Sequence, residues 1–148
     1  MTSRTSRETP RYDVENDLGW ILDQQLVDAV PGTRAAVLLS GDGIRRAHSK
    51  ELETADAEPM AAAASGIQAL ARSYAQRAMS GEEGTWEETI NSYQGGFLMI
   101  VGAGDQSFLA VRADRDVDLA ALTTAAHTCV LRLGEQMATP RRGADAPS

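Results

Sequence analysis

"AVLLSGDGIRRAHS", Ala36 to Ser49, is the stretch on which the fold turns. An apolar run breaks at Ser40-Gly41-Asp42-Gly43, and the chain resumes with Ile44 and polar residues. A helix after those glycines would make a phosphate loop; a second strand makes a hairpin. A Walker-type loop needs a strand, glycines and then Lys-Ser/Thr opening a helix, so that backbone amides and the lysine surround the phosphates. Here Ile44-Arg45-Arg46 follow Gly43, with no lysine and a strand-like continuation. The stretch therefore predicts a hairpin, Arg34 to Ser40 against Ile44 to Ser49, in which the glycines take positive φ and Asp42 bonds backbone amides. Asp42 also lacks the neighbouring carboxylates that a calcium loop of alternating oxygen ligands requires.

Working outward, the residues before the hairpin carry a helical period. Leu18, Ile21, Leu22, Leu26, Ala29 and Val30 recur at three- and four-residue spacing, Asn16 or Asp17 can cap the start, and Pro31-Gly32 stops the run. After the hairpin a long helix is predicted from about Thr54 or Asp56 to Met79. Met60, Ala64, Ile67, Leu70, Ala71 and Tyr74 form one stripe, Pro59 falls in the first turn, and Gly81 follows the end.

The period then changes to two. Gly84 to Tyr93, Gly96 to Ala103 and Ser107 to Asp114 read as three strands joined by turns at Gln94-Gly95 and Gly104-Asp105. Phe97 to Val101 is apolar without alternation, which predicts a strand covered on both faces. A last helix carries Leu119, Leu122, Ala126, Cys129, Val130, Leu133 and Met137, with Asp116 or Asp118 near its start. The order is α-β-β-α-β-β-β-α. Residues 1–14 and 139–148 are polar with prolines and are expected to be disordered tails flanking one domain over 15–138.

The 148 residues suffice for one domain with a core of its own. The net charge of −7, with basic residues scattered or near the ends, argues against a nucleic-acid surface. Cys129 is the single cysteine, so an intrachain disulfide is impossible and a cysteine-based zinc site has too few ligands. The N-terminal arginines lack a following apolar segment, and no run approaches the ~18 apolar residues of a membrane span, so a cytoplasmic protein without membrane insertion is expected.

Candidate chemistry is sparse. His48 and Ser49 could form a nucleophile pair, but neighbours on a strand point to opposite faces. His127 lies beside the core position Ala126 and reads as a partly exposed helix histidine. Glu87 and Glu88 likewise diverge, which is poor geometry for a general acid and base. Trp20 and Trp86 suit either recognition or core packing. No catalytic, metal or cofactor site is expected. "MAAAASGIQALA" surrounds most of the second helix with small side chains, which let another helix approach closely. A helix packed only on its own sheet accounts for the stripe better than for the alanines.

Leu18 to Met137 resembles a roadblock domain, the family of dynein-associated light chains and bacterial GTPase partners. The likeness rests on "LGWILDQQL" leading to Val30-Pro31-Gly32, "AVLLSGDG", "MAAAASGIQALAR", "GGFLMIVGAGDQSFLAV" and the Leu119 to Leu133 helix, in that order. It is most similar to the roadblock proteins of actinobacterial conservon operons, whose neighbouring products include a sensor-kinase-like protein and a Ras-like GTPase.

The resemblance implies a three-layer α+β fold: a five-stranded antiparallel sheet with the second helix on one face and the first and third on the other. It also implies a homodimer in which second helices and third strands pair across a two-fold axis. On that basis Ala61, Ala64, Ser65, Gln68, Arg72, Trp86, Glu87 and Glu88 are the interface candidates. The implied partners are a second copy, a small Ras-like GTPase and a sensor-kinase-like protein of the same operon, and the implied role is non-enzymatic regulation. Arg72, Arg77, Arg45 and Arg46 could reach a partner, but an arginine finger is not expected, because exposed arginines are usually only solvated. Two rivals make distinct demands: a small-ligand sensor needs a sizeable cavity with convergent polar groups, and a hydrolase needs a nucleophile with a base in reach.

Overall fold

The structure, a computed structural model, describes residues 16–138 apart from Asp105. Both predicted tails lie outside the described residues, as does half of the Gly104-Asp105 turn. The first helix, α1 (Gly19–Leu22), continues into a π-helical turn (Asp23–Val27). It is followed by β1 (Thr33–Ser40), β2 (Arg45–His48), α2 (Thr54–Ala78), a 3-10 turn (Gly81–Gly84), β3 (Glu88–Tyr93), β4 (Gly96–Gly104), β5 (Ser107–Ala113) and α3 (Leu119–Ala138). The predicted element order holds throughout.

The strands form one sheet in the order β2-β1-β5-β4-β3, every neighbouring pair antiparallel. The β1-β2 hairpin fills one side, α2 crosses over, and the β3-β4-β5 meander returns β5 to β1. This crossover leaves β2 and β3 as edges.

One apolar cluster joins Ile21, Leu22 and Leu26 of the first helix and Leu122, Ala126 and Leu133 of α3 to Leu38, Met99, Val101 and Leu109 of the sheet. The other joins Ala57, Ala61 and Ala64 of α2 to Ala35, Val37, Ile100 and Ala110. Helices therefore cover both faces, α2 alone on one. β4 shows why its sequence does not alternate: Met99 and Val101 point to one layer, Ile100 to the other, and all three are fully buried. Burying a side chain of that size contributes roughly 1.5–3 kcal/mol, so both layers hold the sheet.

The opening stretch is a hairpin turn. Gly43 N–H donates to Ser40 O at 2.9 Å, and Asp42 accepts from the Ser40 hydroxyl and, at 3.4 Å, from Ile44 N–H. Of its two glycines only Gly43 has positive φ (87°); Gly41 instead donates its N–H to Gln106 O at 2.9 Å, tying this hairpin to the β4-β5 hairpin.

Three local expectations need correction. Asn16 does not cap α1: its side chain clamps the edge strand, donating Nδ2 to His48 O at 2.9 Å and accepting His48 N–H at 2.7 Å. A buried strand edge offers two backbone groups that must be paired, and this outcompetes an exposed helix end. Pro59 lies in the second turn of α2, where it removes one helical hydrogen bond. β3 starts at Glu88, later than predicted, because residues 81–84 form the 3-10 turn. Asp118 does cap α3, its Oδ1 accepting Ala121 N–H at 3.1 Å.

Candidate functional site

The side of α2 that faces the sheet carries the small residues. Ala57, Ala61 and Ala64 are fully buried, and Gln68 is 2% exposed. Small side chains there let the helix axis sit low over the equally small Ala35 and Ala110. Two of the larger residues read as core stripe lie outside instead: Leu70 is 75% exposed and Tyr74 65%. The stripe is thus displaced around the helix, and the side away from the sheet presents Leu70 and Tyr74 among Ala62, Ala63, Gly66 and Ala69, all exposed. Ala61 and Ala64 are closed off by the chain's own sheet, so a helix approaching α2 meets these outer residues.

The other interface candidates separate into three groups. Ser65 donates its hydroxyl to Gly41 O at 2.9 Å, fastening α2 to the β1-β2 turn. Gln68, Arg72 and Trp86 converge around Phe108: Gln68 accepts from Arg72 Nη1 at 3.2 Å, Arg72 lies over the Phe108 ring, and Trp86 meets that ring edge-on. Trp86 Nε1 donates to Thr89 Oγ1 at 2.9 Å, which satisfies its one polar group. Glu87 is exposed just before β3, whereas Glu88 bonds His127 Nε2 of α3 at 2.8 Å. The two glutamates do face different surroundings. β3 itself is an edge strand with no neighbour on its outer side among the described residues, and Ile90 (36%) and Tyr93 (53%) are exposed along it.

Enzymatic geometry can be tested directly. His48 Nδ1 is paired with the backbone O of Ser49 at 2.8 Å, and Ser49 Oγ accepts Ala36 N–H at 3.1 Å, so histidine and hydroxyl serve the backbone separately. Burial pushes the Cys129 thiol up to about 12, the opposite of an activated nucleophile. Among the described residues no group of three or more His, Cys, Asp or Glu could hold a metal. No helix among them is long and apolar enough to cross a membrane.

A cleft of about 630 Å³ lies between the first turns of α2 and the sheet end, lined in part by Met60, Leu98, Tyr93 and Arg112. At its rim Arg34 binds Asp114 through two contacts, Nε to Oδ1 at 2.9 Å and Nη2 to Oδ2 at 2.7 Å. That hydrogen bond holds the Asp114 carboxyl below the usual carboxylate range.

Residues 20–113, from α1 to the end of β5, match the model of the Roadblock/LC7 domain. The chain belongs to the Roadblock/LC7 family. No curated protein matches it by sequence. Among solved structures it is similar to a Roadblock/LC7 domain from Streptomyces avermitilis, with 33% identity and a TM-score of 0.76 over 82% of this chain and 98% of the other. MglB of Myxococcus xanthus shares the fold at 14% identity, with a TM-score of 0.71 over 84% of this chain and 98% of MglB. So does an MglB solved in a tetrameric arrangement, at 16% identity and a TM-score of 0.70 over 84% and 90%. The Roadblock/LC7 match ends before α3, yet α3 completes the three layers of the fold. What sequence reasoning missed is the outer row of α2, Leu70 and Tyr74. The four consecutive alanines were its signal, since they leave the helix free to turn a small-residue side toward the sheet.

Proposed function

We propose that this Roadblock/LC7 chain is a homodimeric, non-catalytic regulatory module of the bacterial cytoplasm that binds a small Ras-like GTPase. The observation that carries the reading is a pair of unfinished surfaces on two elements that touch: the outer side of α2 with Leu70 and Tyr74 exposed, and the edge of β3, unpaired among the described residues. A long exposed edge strand is a template for pairing, and a two-fold axis through it satisfies both copies with one self-complementary patch. Pairing of β3 with its copy would bring the outer side of each α2 against the other, with Trp86 and Glu87 at the margin. The tetrameric arrangement of the MglB relative offers a precedent for self-association on this fold.

The GTPase enters through the likeness to roadblock proteins of conservon operons, where a Ras-like GTPase and a sensor-kinase-like protein are encoded alongside. Arg77, exposed near the end of α2, can support contact with such a partner. Arg46 is committed to Ser107 Oγ at 2.9 Å. The experiment is co-purification with the neighbouring GTPase loaded in turn with GDP and a GTP analogue, while light scattering gives the mass of the free protein. A dimer that captures the GTPase in one nucleotide state is the expected result. A monomer that captures it in neither state ends the proposal.

A further inference from the structure

Phe108 of β5 is 4% exposed, and two side chains cover it from the α2 face. The Trp86 ring stands edge-on, 6.0 Å between centroids and inclined 61°, and the guanidinium carbon of Arg72 lies 5.4 Å from the ring centroid. Arg72 is also held from behind. Its Nη1 donates to Gln68 Oε1 at 3.2 Å, and Gln68, 2% exposed, is fixed in turn by Nε2 donating to Ser65 O at 3.0 Å. A buried amide therefore devotes its acceptor to orienting one guanidinium, which carries five N–H donors. Among the described residues that is the only hydrogen bond the Arg72 guanidinium makes, and no carboxylate of theirs stands within ion-pair distance of it.

Arg72 forms part of the wall of a cleft of about 460 Å³ between the C-terminal half of α2 and the β4-β5 hairpin. Among the described lining residues it is the only charged one; Trp86, Gln106 and Gly102 stand around it. At Gly102 the wall is bare backbone, and a Cβ there would come within 3.5 Å of the indole. In the larger cleft near Arg112 two arginines are balanced by Asp56 and Asp114, so no charge is left over there. In the smaller one, among the described lining residues, Arg72 has no such counter-charge. A guanidinium held over an aromatic ring and preset by a buried amide loses little freedom on binding a planar or tetrahedral oxyanion through two N–H groups. The volume falls within the usual range for small-ligand sites.

We propose that this cleft binds a small aromatic anion, its carboxylate or phosphate on Arg72 and its ring beside Trp86. The proposal stands independently of self-association and of the GTPase. Trp20 and Trp86 are the two tryptophans, and Trp20 sits in α1 on the opposite face of the sheet, so a Trp20→Phe protein reports from Trp86 alone. Its fluorescence is titrated with benzoate, phenyl phosphate and inorganic phosphate. The expected result is a saturable change with at least one aromatic anion, the comparison of the two showing which oxyanion is preferred, and binding of inorganic phosphate at least tenfold weaker. Arg72→Gln should weaken the aromatic anion at least tenfold, and Arg72→Lys, which keeps the charge but not the fork, several-fold. No saturable change, inorganic phosphate binding as well as the aromatic anions, or Arg72→Gln binding like the parent each overturns the proposal. Should Arg72→Gln not fold, undiminished binding by Arg72→Lys overturns it equally.

Discussion

Truncating Leu70 to alanine separates a surface made for a partner from one made for the core. Three carbons are removed, each contributing about 0.8 kcal/mol when fully buried. Leu70 is 75% exposed in the isolated protomer, so a partner covering it recovers about three-quarters of that, roughly 1.8 kcal/mol per copy. A two-fold axis counts the loss twice, about 3.6 kcal/mol, which is roughly 400-fold in the dissociation constant. Within the protomer the same change removes little packing, and alanine favours helix, so intrinsic stability should move by no more than about 0.5 kcal/mol. The assay is light scattering across a dilution series, with a denaturant melt of each species taken below its dissociation constant. The expected result is an unchanged monomer melt and a dimer that dissociates at concentrations roughly 400-fold higher. An unaltered dilution profile would refute the assignment of this side of α2 to self-association; a monomer destabilised by several kcal/mol would refute the statement that Leu70 lies outside the core.

Three further outcomes follow from the fold. In Gly96→Ala the new Cβ would lie 2.1 Å from the backbone O of Ala113, at a φ of 149°, so β4 must shift against β5 and a loss of about 3 kcal/mol or more is expected in urea melts. Asn16→Ala strips His48 N–H and O of their side-chain partner at a buried edge, and should cost about 2–3 kcal/mol in the same assay, with early amide exchange at His48. Cys129, with its pKa raised from 9.0 to about 12 by burial, should resist alkylation at pH 8 until the protein unfolds. The sign of its linkage is destabilising at high pH. The unfolded thiol loses its proton first, so its contribution is intact below pH 9 and declines from there toward pH 12, which a melt series read against Cys129→Ala isolates.

The residues that announced the fold did so through backbone chemistry and period. Gly43 needed positive φ, β4 needed cover on both faces, and α3 carried its apolar stripe unbroken, all of which are local properties. The errors arose where a distant element made the choice. Asn16 has the right chemistry for a cap, yet an edge strand 32 residues away offers two buried backbone groups and claims the side chain. Leu70 and Tyr74 have the right spacing for a core stripe, yet α2 lands on the sheet through Ala57, Ala61 and Ala64 against Ala35 and Ala110, which turns both outward. A hydrophobic period states that a helix has a preferred side; the depth of the surface it lands on decides which side that is. For α2 the small residues went down, Met60 and Ile67 pack beside them, and Leu70 and Tyr74 were left outside, so the observation that weakened the core assignment is the one that supplies the candidate site. Gln68 and Arg72 repeat the lesson at the level of single groups. Nothing in "SGIQALAR" marks a glutamine as buried, because its burial depends on Phe108 and Arg72 meeting above β5, a contact fixed only when the meander returns β5 to the centre of the sheet.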